Sequence, residues 1–263
     1  MTTKVGIFGA AGRMGRRLIA LGSQDEQLRI VAALDAANHP ELGRDAGTLA
    51  GVAPLHLPLS ATLDGERPDV LIDFSTPAAT DAVIALCREH GIPLVYATTG
   101  ATAEQMATLR DAASVIPVLW SPSMSTTVNL AMKLAAEAAR SLKDHDADVE
   151  IIERHHRYKA DAPSGTALKF GQLIAQEMGI DQFRHGREGK VGARPHNEIG
   201  YHAVRTGDNP GEHTIVFGLL GETLEITVRA SNRDCYALGA LAAAKFLAGQ
   251  KPGFYSMNDV LHL

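Results

Sequence analysis

The first half of the chain alternates short, wholly apolar runs with segments of helical periodicity. Val5–Phe8 and Leu28–Leu34 read as strands, with a helix over Arg13–Leu21 between them. After a loop rich in Gly, Pro and His, strands follow at Asp69–Phe74, Pro93–Ala97 and Val115–Trp120. Helices are expected over Pro77–His90 and Thr102–Ala113. Thr76 is placed to cap the first of these, with Pro77 at its first position and Gly91 just past its end. Strands apolar on both faces that alternate with helices predict a parallel sheet covered on both sides.

The pattern changes after an Ala-rich helix expected over Ser125–Leu142. Strands at Asp148–Ile152 and Glu198–Thr206 flank a helix over Pro163–Met178. Thr214–Gly218 and Thr223–Ala230 read as a hairpin through Leu220-Gly221, which predicts a mixed or antiparallel sheet in a separate domain. A last helix covers Tyr236–Ala248, and its docking site is not readable from its pattern.

The 263 residues are 45% hydrophobic and 21% charged, ordinary for a globular enzyme. The formal charge of -5 and the lack of a long basic run argue against a nucleic-acid partner. No stretch approaches the ~20 apolar residues of a membrane span. Two cysteines, Cys87 and Cys235, form no disulfide framework. The start, Met-Thr-Thr-Lys-Val-Gly, lacks the basic, apolar and cleavage regions of an export signal. A cytoplasmic protein is expected.

The first strand runs into Gly9-Ala10-Ala11-Gly12-Arg13-Met14-Gly15, a G-x-x-G-x-x-G variant of the dinucleotide fingerprint. Gly12 lets a pyrophosphate approach the backbone, Gly15 lets the helix pack on the sheet, and the helix start faces the phosphates. Asp35 ends the next strand 20 residues beyond Gly15, where a ribose-binding acid belongs. The competing reading is a tight structural turn in a similar domain with another ligand. Ala36 and Ala37 follow Asp35, so no Arg beside it welcomes a 2′-phosphate, and NADH is expected to be preferred over NADPH. The strand-end segments Phe74-Ser75-Thr76 and Ala97-Thr98-Thr99-Gly100 are placed to line the nicotinamide side, or simply to cap helices. The expected fold is thus α/β: a Rossmann-type doubly wound parallel sheet plus a second α+β domain with a mixed or antiparallel sheet.

The densest chemistry lies in Glu153-Arg-His-His-Arg-Tyr-Lys-Ala-Asp-Ala-Pro-Ser-Gly-Thr166. Strand alternation points His155 and His156 to opposite sides. Lys159 is near enough to reach one side of the same pocket. Ser164-Gly165-Thr166 offers hydroxyls and backbone N–H groups at a helix start, which suits a carboxylate. Together these groups fit an acid catalyst beside a hydride acceptor. His-His can also be structural. A metal site would need a third ligand, and His185, His196 and His202 stand in no recognised pattern, so no metal is expected.

The chain resembles the 4-hydroxy-tetrahydrodipicolinate reductase (dihydrodipicolinate reductase) family over nearly its whole length. The resemblance rests on GAAGRMG at 9–15, Asp73-Phe74-Ser75, ATTG at 97–100, ERHHRYK at 153–159, DAPSGTA at 161–167 and VRTGDNPGEHT at 204–214. It implies an oxidoreductase of diaminopimelate and lysine biosynthesis that moves hydride from NADH or NADPH to C4 of a cyclic dicarboxylate. It implies that His155 handles a proton near the ring and that Lys159 donates one to the substrate. His156, Gly165 and Thr166 bind the substrate, Ser164 supports a carboxylate, and Arg233 matches a basic position near the substrate. Cofactor contacts fall to Gly9, Ala10, Ala11, Gly12, Arg13, Met14, Asp35 and Phe74. Ala97, Thr98, Thr99, Ser121, Pro122, Ser123 and Met124 complete them. The resemblance also implies a dinucleotide-binding domain of residues 1–126 and 237–263, and a substrate-binding domain of residues 127–236 through whose sheet a homotetramer assembles. The chain departs from the family pattern at Ala97, at Ser123–Asn129 and in lacking an Arg after Asp35. The last departure favours NADH.

Two rival classes remain. A semialdehyde dehydrogenase shares this layout but needs a nucleophilic Cys, and neither Cys87 in a helix nor Cys235 has that context. A catalytically silent NADH sensor is opposed by the presence of both His155 and Lys159.

Overall fold

The computed structural model describes residues 2–263. Along the chain the elements are β1 (Thr3–Phe8), α1 (Arg13–Gly22), β2 (Leu28–Leu34), α2 (Ala46–Leu49), β3 (Leu59–Ser60), β4 (Val70–Asp73), α3 (Thr80–His90), β5 (Leu94–Tyr96), α4 (Ala103–Ala112) and β6 (Pro117–Trp120). There follow α5 (Thr126–Leu142), β7 (Asp148–His155), α6 (Gly165–Met178), β8 (Gln182–His185), β9 (Glu198–Arg205), β10 (Glu212–Leu219), β11 (Glu222–Arg229), α7 (Asp234–Leu247), β12 (Gly253–Tyr255) and α8 (Met257–Leu261). Two compact units result, one of residues 2–126 with 234–262 and one of residues 127–233.

The first unit is built on a seven-stranded sheet of order β12-β6-β5-β4-β1-β2-β3, parallel at every pairing. Alternate strand residues enter two cores. Val5, Ile7, Ile72, Val95 and Leu119 pack with α1 and α7, while Leu71, Leu94, Tyr96 and Val118 pack with α3 and α4. This is the doubly wound arrangement expected from the apolar runs. Strand order reverses between β1 and its neighbours β4 and β2, which opens a crevice at their carboxyl ends.

Helix α7 has a face of Ala237, Gly239, Ala240, Ala243 and Ala244, small enough to lie close on the sheet. A Cβ at Gly239 would stand 1.7 Å from the Met124 carbonyl oxygen, so only glycine fits. Thr76 precedes a single 3₁₀ turn, Pro77–Ala79, and not the α-helix itself; its side chain makes no capping bond. Thr102 does cap α4, in a reciprocal capping box with Gln105.

The second unit carries a five-stranded sheet of order β11-β10-β7-β9-β8. The β8·β9 and β7·β9 pairs are parallel and the other two antiparallel, so the sheet is mixed. Its core joins Val149, Ile151, Ile199, Tyr201, Ile215 and Phe217 to Ala135 and Ala139 of α5 and to Phe170 and Ile174 of α6. β7 is three residues longer than its pattern suggested and ends on His155, which fixes the geometry described next.

Candidate active site

In the first unit the β1–α1 loop, the end of β2 and the end of β4 enclose a cleft of about 470 Å³ whose walls include Gly9, Gly12, Asp35, His39, Phe74 and Ser75. Gly12 stands at the N-cap of α1 and supplies no side-chain cap. The positive helix end therefore has no side-chain cap and could receive an anion. Gly15 lies against the loop: a Cβ there would come within 2.1 Å of the Gly9 carbonyl oxygen. Asp35 accepts hydrogen bonds from the backbone N–H of Ala11 at 2.9 Å and of Ala36 at 2.8 Å. Each carboxylate oxygen keeps a second lone pair, so ribose hydroxyls can still donate to it. Ala10 and Ala11 are buried residues of the loop itself, while Arg13 and Met14 form the first turn of α1. Arg16 donates from Nε to the Ala11 carbonyl.

The loop after β5 is tied to the end of β4. Thr98 Oγ1 donates to Asp73 Oδ2 at 2.7 Å, and the Ala97 N–H donates to the Asp73 carbonyl. Asp73 is fully buried, and burial pushes its carboxyl above the usual range despite hydrogen bonds from Ser75 and Thr98. Its role was not singled out from sequence, because an acid in an apolar strand reads only as a strand end. Thr99 is exposed. Ser121, Ser123 and Met124 are buried after β6, and Pro122 is half-buried.

In the second unit β7 puts Glu153 and His155 on the sheet's buried face, two residues apart. His155 Nδ1 lies 2.6 Å from Glu153 Oε2. Arg205 of β9 grips the same carboxylate with two bonds of 2.8 and 2.7 Å. Burial would raise Glu153, but the hydrogen bonds from Arg205 and His155 outweigh it and hold the carboxyl below the usual range. Burial lowers His155 more than Glu153 raises it, with Lys159 and Arg205 adding to the fall.

Ser164 caps α6, accepting from the Ala167 N–H, and its hydroxyl also bonds His213 Nε2 at 2.9 Å. It is 2% exposed. This corrects the expectation of two hydroxyls open to a ligand: Ser164 is spent on the cap, and Gly165 and Thr166 present the helix start. Lys159 is paired with Asp161 at 2.8 Å. His156 lies past the end of β7, so strand alternation does not govern it; it is half-buried beside Tyr158. Arg233 is exposed in the turn before α7, outside the cassette's hydrogen-bond network. The structure thus gathers Glu153, His155, Lys159 and Ser164 and adds Arg205 and His213. These two were visible in sequence only as part of the 204–214 segment.

Burial raises the thiols of the fully buried Cys87 and the half-buried Cys235, so neither has the lowered pKa of a nucleophilic cysteine. Among the described residues no helix is long and apolar enough to cross a membrane.

Chemically, one unit offers an anion-binding helix start with a ribose-type acid. The other offers an oriented imidazole, an amine and a helix start for a carboxylate. The family models for the N-terminus and C-terminus of dihydrodipicolinate reductase match residues 3–124 and 127–261. The chain belongs to the dihydrodipicolinate reductase family. It is 56% identical to the 4-hydroxy-tetrahydrodipicolinate reductase of Rhodopirellula baltica, over 97% of this chain and 94% of that one. It is 48% identical to that of Alkalilimnicola ehrlichii, over the full length of both. A solved dipicolinate-bound dihydrodipicolinate reductase from Paenisporosarcina is 28% identical, with a TM-score of 0.79 over 98% of this chain and 99% of that one. An amine dehydrogenase from Mycobacterium smegmatis, 12% identical over 98% of this chain and 96% of that one, shares the fold alone, with a TM-score of 0.65.

Proposed function

We propose that this chain reduces 4-hydroxy-tetrahydrodipicolinate to tetrahydrodipicolinate with NADH or NADPH, in diaminopimelate and lysine biosynthesis. The observation that carries the reading is the Glu153–His155 pair beside Lys159 and the α6 start, in a chain that matches the reductase family over both units.

The first unit is the dinucleotide-binding domain. Gly9, Ala10, Ala11, Gly12, Arg13 and Met14 hold the diphosphate and Asp35 the ribose. Phe74, Ala97, Thr98, Thr99, Ser121, Pro122, Ser123 and Met124 face the nicotinamide. A nicotinamide cofactor bound there supplies the hydride, received at substrate C4. NADH is preferred, because Asp35 repels a 2′-phosphate, Ala36 and Ala37 offer no cation, and Arg16 is engaged with Ala11.

The second unit binds the substrate and builds a homotetramer. The N–H groups of Gly165 and Thr166 and the Thr166 hydroxyl hold one substrate carboxylate, with Ser164 supporting them through its cap. His156 and Arg233 add positive charge or hydrogen bonds to the dicarboxylate. Water leaves with the 4-hydroxyl, hydride adds at C4, and the electron pair this leaves on the ring takes a proton from Lys159 Nζ or His155 Nε2. We place the protein in the cytoplasm, in keeping with its two free cysteines.

The test is turnover of 4-hydroxy-tetrahydrodipicolinate, supplied by a coupling synthase, followed as loss of NADH or NADPH. NADH should give the higher kcat/KM. Lys159→Ala should lose about 10²- to 10⁴-fold in kcat while binding NADH as before. Folded wild-type protein that oxidises neither cofactor would overturn the assignment.

A further inference from the structure

Sheet register brings four side chains of the second unit together. His213 of β10 lies directly across from Glu153, and Arg205 of β9 directly across from His155. Glu153 is 1% exposed and has no part in the reaction as written above. Its carboxylate accepts from His155, twice from Arg205, and from the Ser164 N–H at 3.0 Å. Ser164 in turn bonds His213, whose ring stands edge-on to His155 at 5.2 Å between centroids. Glu153, His155, His213 and Ser164 therefore close a ring.

A buried carboxylate stays ionised only beside a compensating charge, and the bidentate Arg205 supplies it. An ionised carboxylate can only accept hydrogen bonds, so the proton between it and His155 sits on Nδ1. Nε2 is then the atom that takes and gives protons. The same carboxylate grips the residue that caps α6, the helix whose start receives the substrate carboxylate.

We propose that Glu153 is a positioning residue that fixes the tautomer and direction of His155 and, through Ser164, sets that imidazole in register with the carboxylate-binding start of α6. Arg205 holds Glu153 ionised for this task. The inference rests on His155 being the proton-handling group of the proposed reaction.

The groups that face His155 are Glu153 on its own strand, Arg205 on β9, His213 on β10, and Lys159, itself paired with Asp161, in the following loop. Glu153 favours the protonated imidazole, whereas Arg205 and Lys159 disfavour it. Removing the Glu153 charge should therefore lower the His155 titration. In Glu153→Gln the His155 titration and the basic limb of the kcat/KM profile should move to lower pH. Nitrogen NMR should show loss of the single Nδ1–H tautomer, and kcat should fall by about tenfold or more. Glu153→Asp, which restores the charge, should move the limb back toward wild type.

An unchanged His155 titration and tautomer in Glu153→Gln would overturn the proposal. So would a loss of kcat with no shift of the limb. Should Glu153→Gln fail to fold, nitrogen NMR of the wild type decides: a single Nδ1–H tautomer of His155 supports the proposal, and an Nε2–H or mixed tautomer overturns it. Absence of reductase turnover in the wild type would remove the proposed reaction, while the NMR titrations would still decide the role of Glu153.

Discussion

His213 is 4% exposed, with Ser164 Oγ at 2.9 Å and the Phe170 ring beside it. Burial pushes its pKa from an ordinary 6.5 down to about 4, and the His155 charge adds to the fall. Between those two values the unfolded chain binds more protons than the folded one, so folding stability rises with pH across the window. Stability present at neutral pH is lost as pH falls from 6.5 toward about 4. The full loss is on the order of 3 kcal/mol. His213→Gln keeps a hydrogen-bonding partner for Ser164 and does not titrate. Its melting temperature should fall less steeply with acid than the wild type's across that window; parallel curves would show that His213 does not titrate as described. His155, also lowered by burial, leaves a residual slope of the same sign. Sequence alone led to the strand that carries Glu153 and His155, because their chemistry is concentrated in one short segment. It could not reach Arg205, 52 residues from Glu153, or link His213 to Ser164 across 49 residues. Those contacts exist only through the register of β7 with β9 and β10.

The β1–α1 loop shows what a single helix start depends on. α1 approaches the loop until a Cβ at Gly15 would overlap the Gly9 carbonyl and the Ala10 backbone. Backbone cannot step aside as a flexible side chain can, so Gly15→Ala should push α1 off the loop at a cost of roughly 1–3 kcal/mol. NADH affinity, measured by fluorescence titration, should fall by about tenfold, since each lost 1.4 kcal/mol of binding is a factor of ten. Wild-type affinity in this variant would mean that the helix start does not hold the cofactor. The glycine spacing was legible because steric exclusion leaves a mark in sequence. So were the long strands, whose two buried faces demand unbroken apolar runs. The short elements left no such mark. β3 has two residues, α2 has four, and β12 follows directly on Lys251-Pro252. β8, Gln182–His185, is exposed along its whole length at the sheet edge, so no apolar pattern announces it. The short strands form because neighbouring strands offer free backbone groups to pair with, while the Asp45 side chain caps α2. The docking of α7 was likewise hidden: its small residues show that it lies close to something, but only the fold shows that it lies on α1 and on strands β4, β5 and β6.

In the proposed tetramer, assembly falls to the second unit's sheet. One face is filled by α5 and α6, and strand alternation sends Glu150, Ile152, Thr214 and Val216 to the other, where all are only partly buried. Glu150 there anchors an ionic cluster, taking hydrogen bonds from Arg187, Arg194 and His202. These bonds hold Glu150 down at a pKa of about 2 even though burial opposes them. A face with an apolar strip beside a fixed, self-neutralised charge cluster can cover a matching face without stranding an unpaired charge. In a two-fold interface each residue of the strip serves both partners, so one substitution enters twice. Val216→Asp therefore places two uncompensated carboxylates in the same contact, and each would have to be buried or driven apart. Light scattering on the wild type should give the mass of four chains, and Val216→Asp should give a smaller species. Because Val216 lies in the second unit, NADH binding by the glycine-loop cleft should be unchanged in that variant. A wild type smaller than four chains would refute the tetramer. A Val216→Asp protein that remains tetrameric would show that assembly uses a different surface.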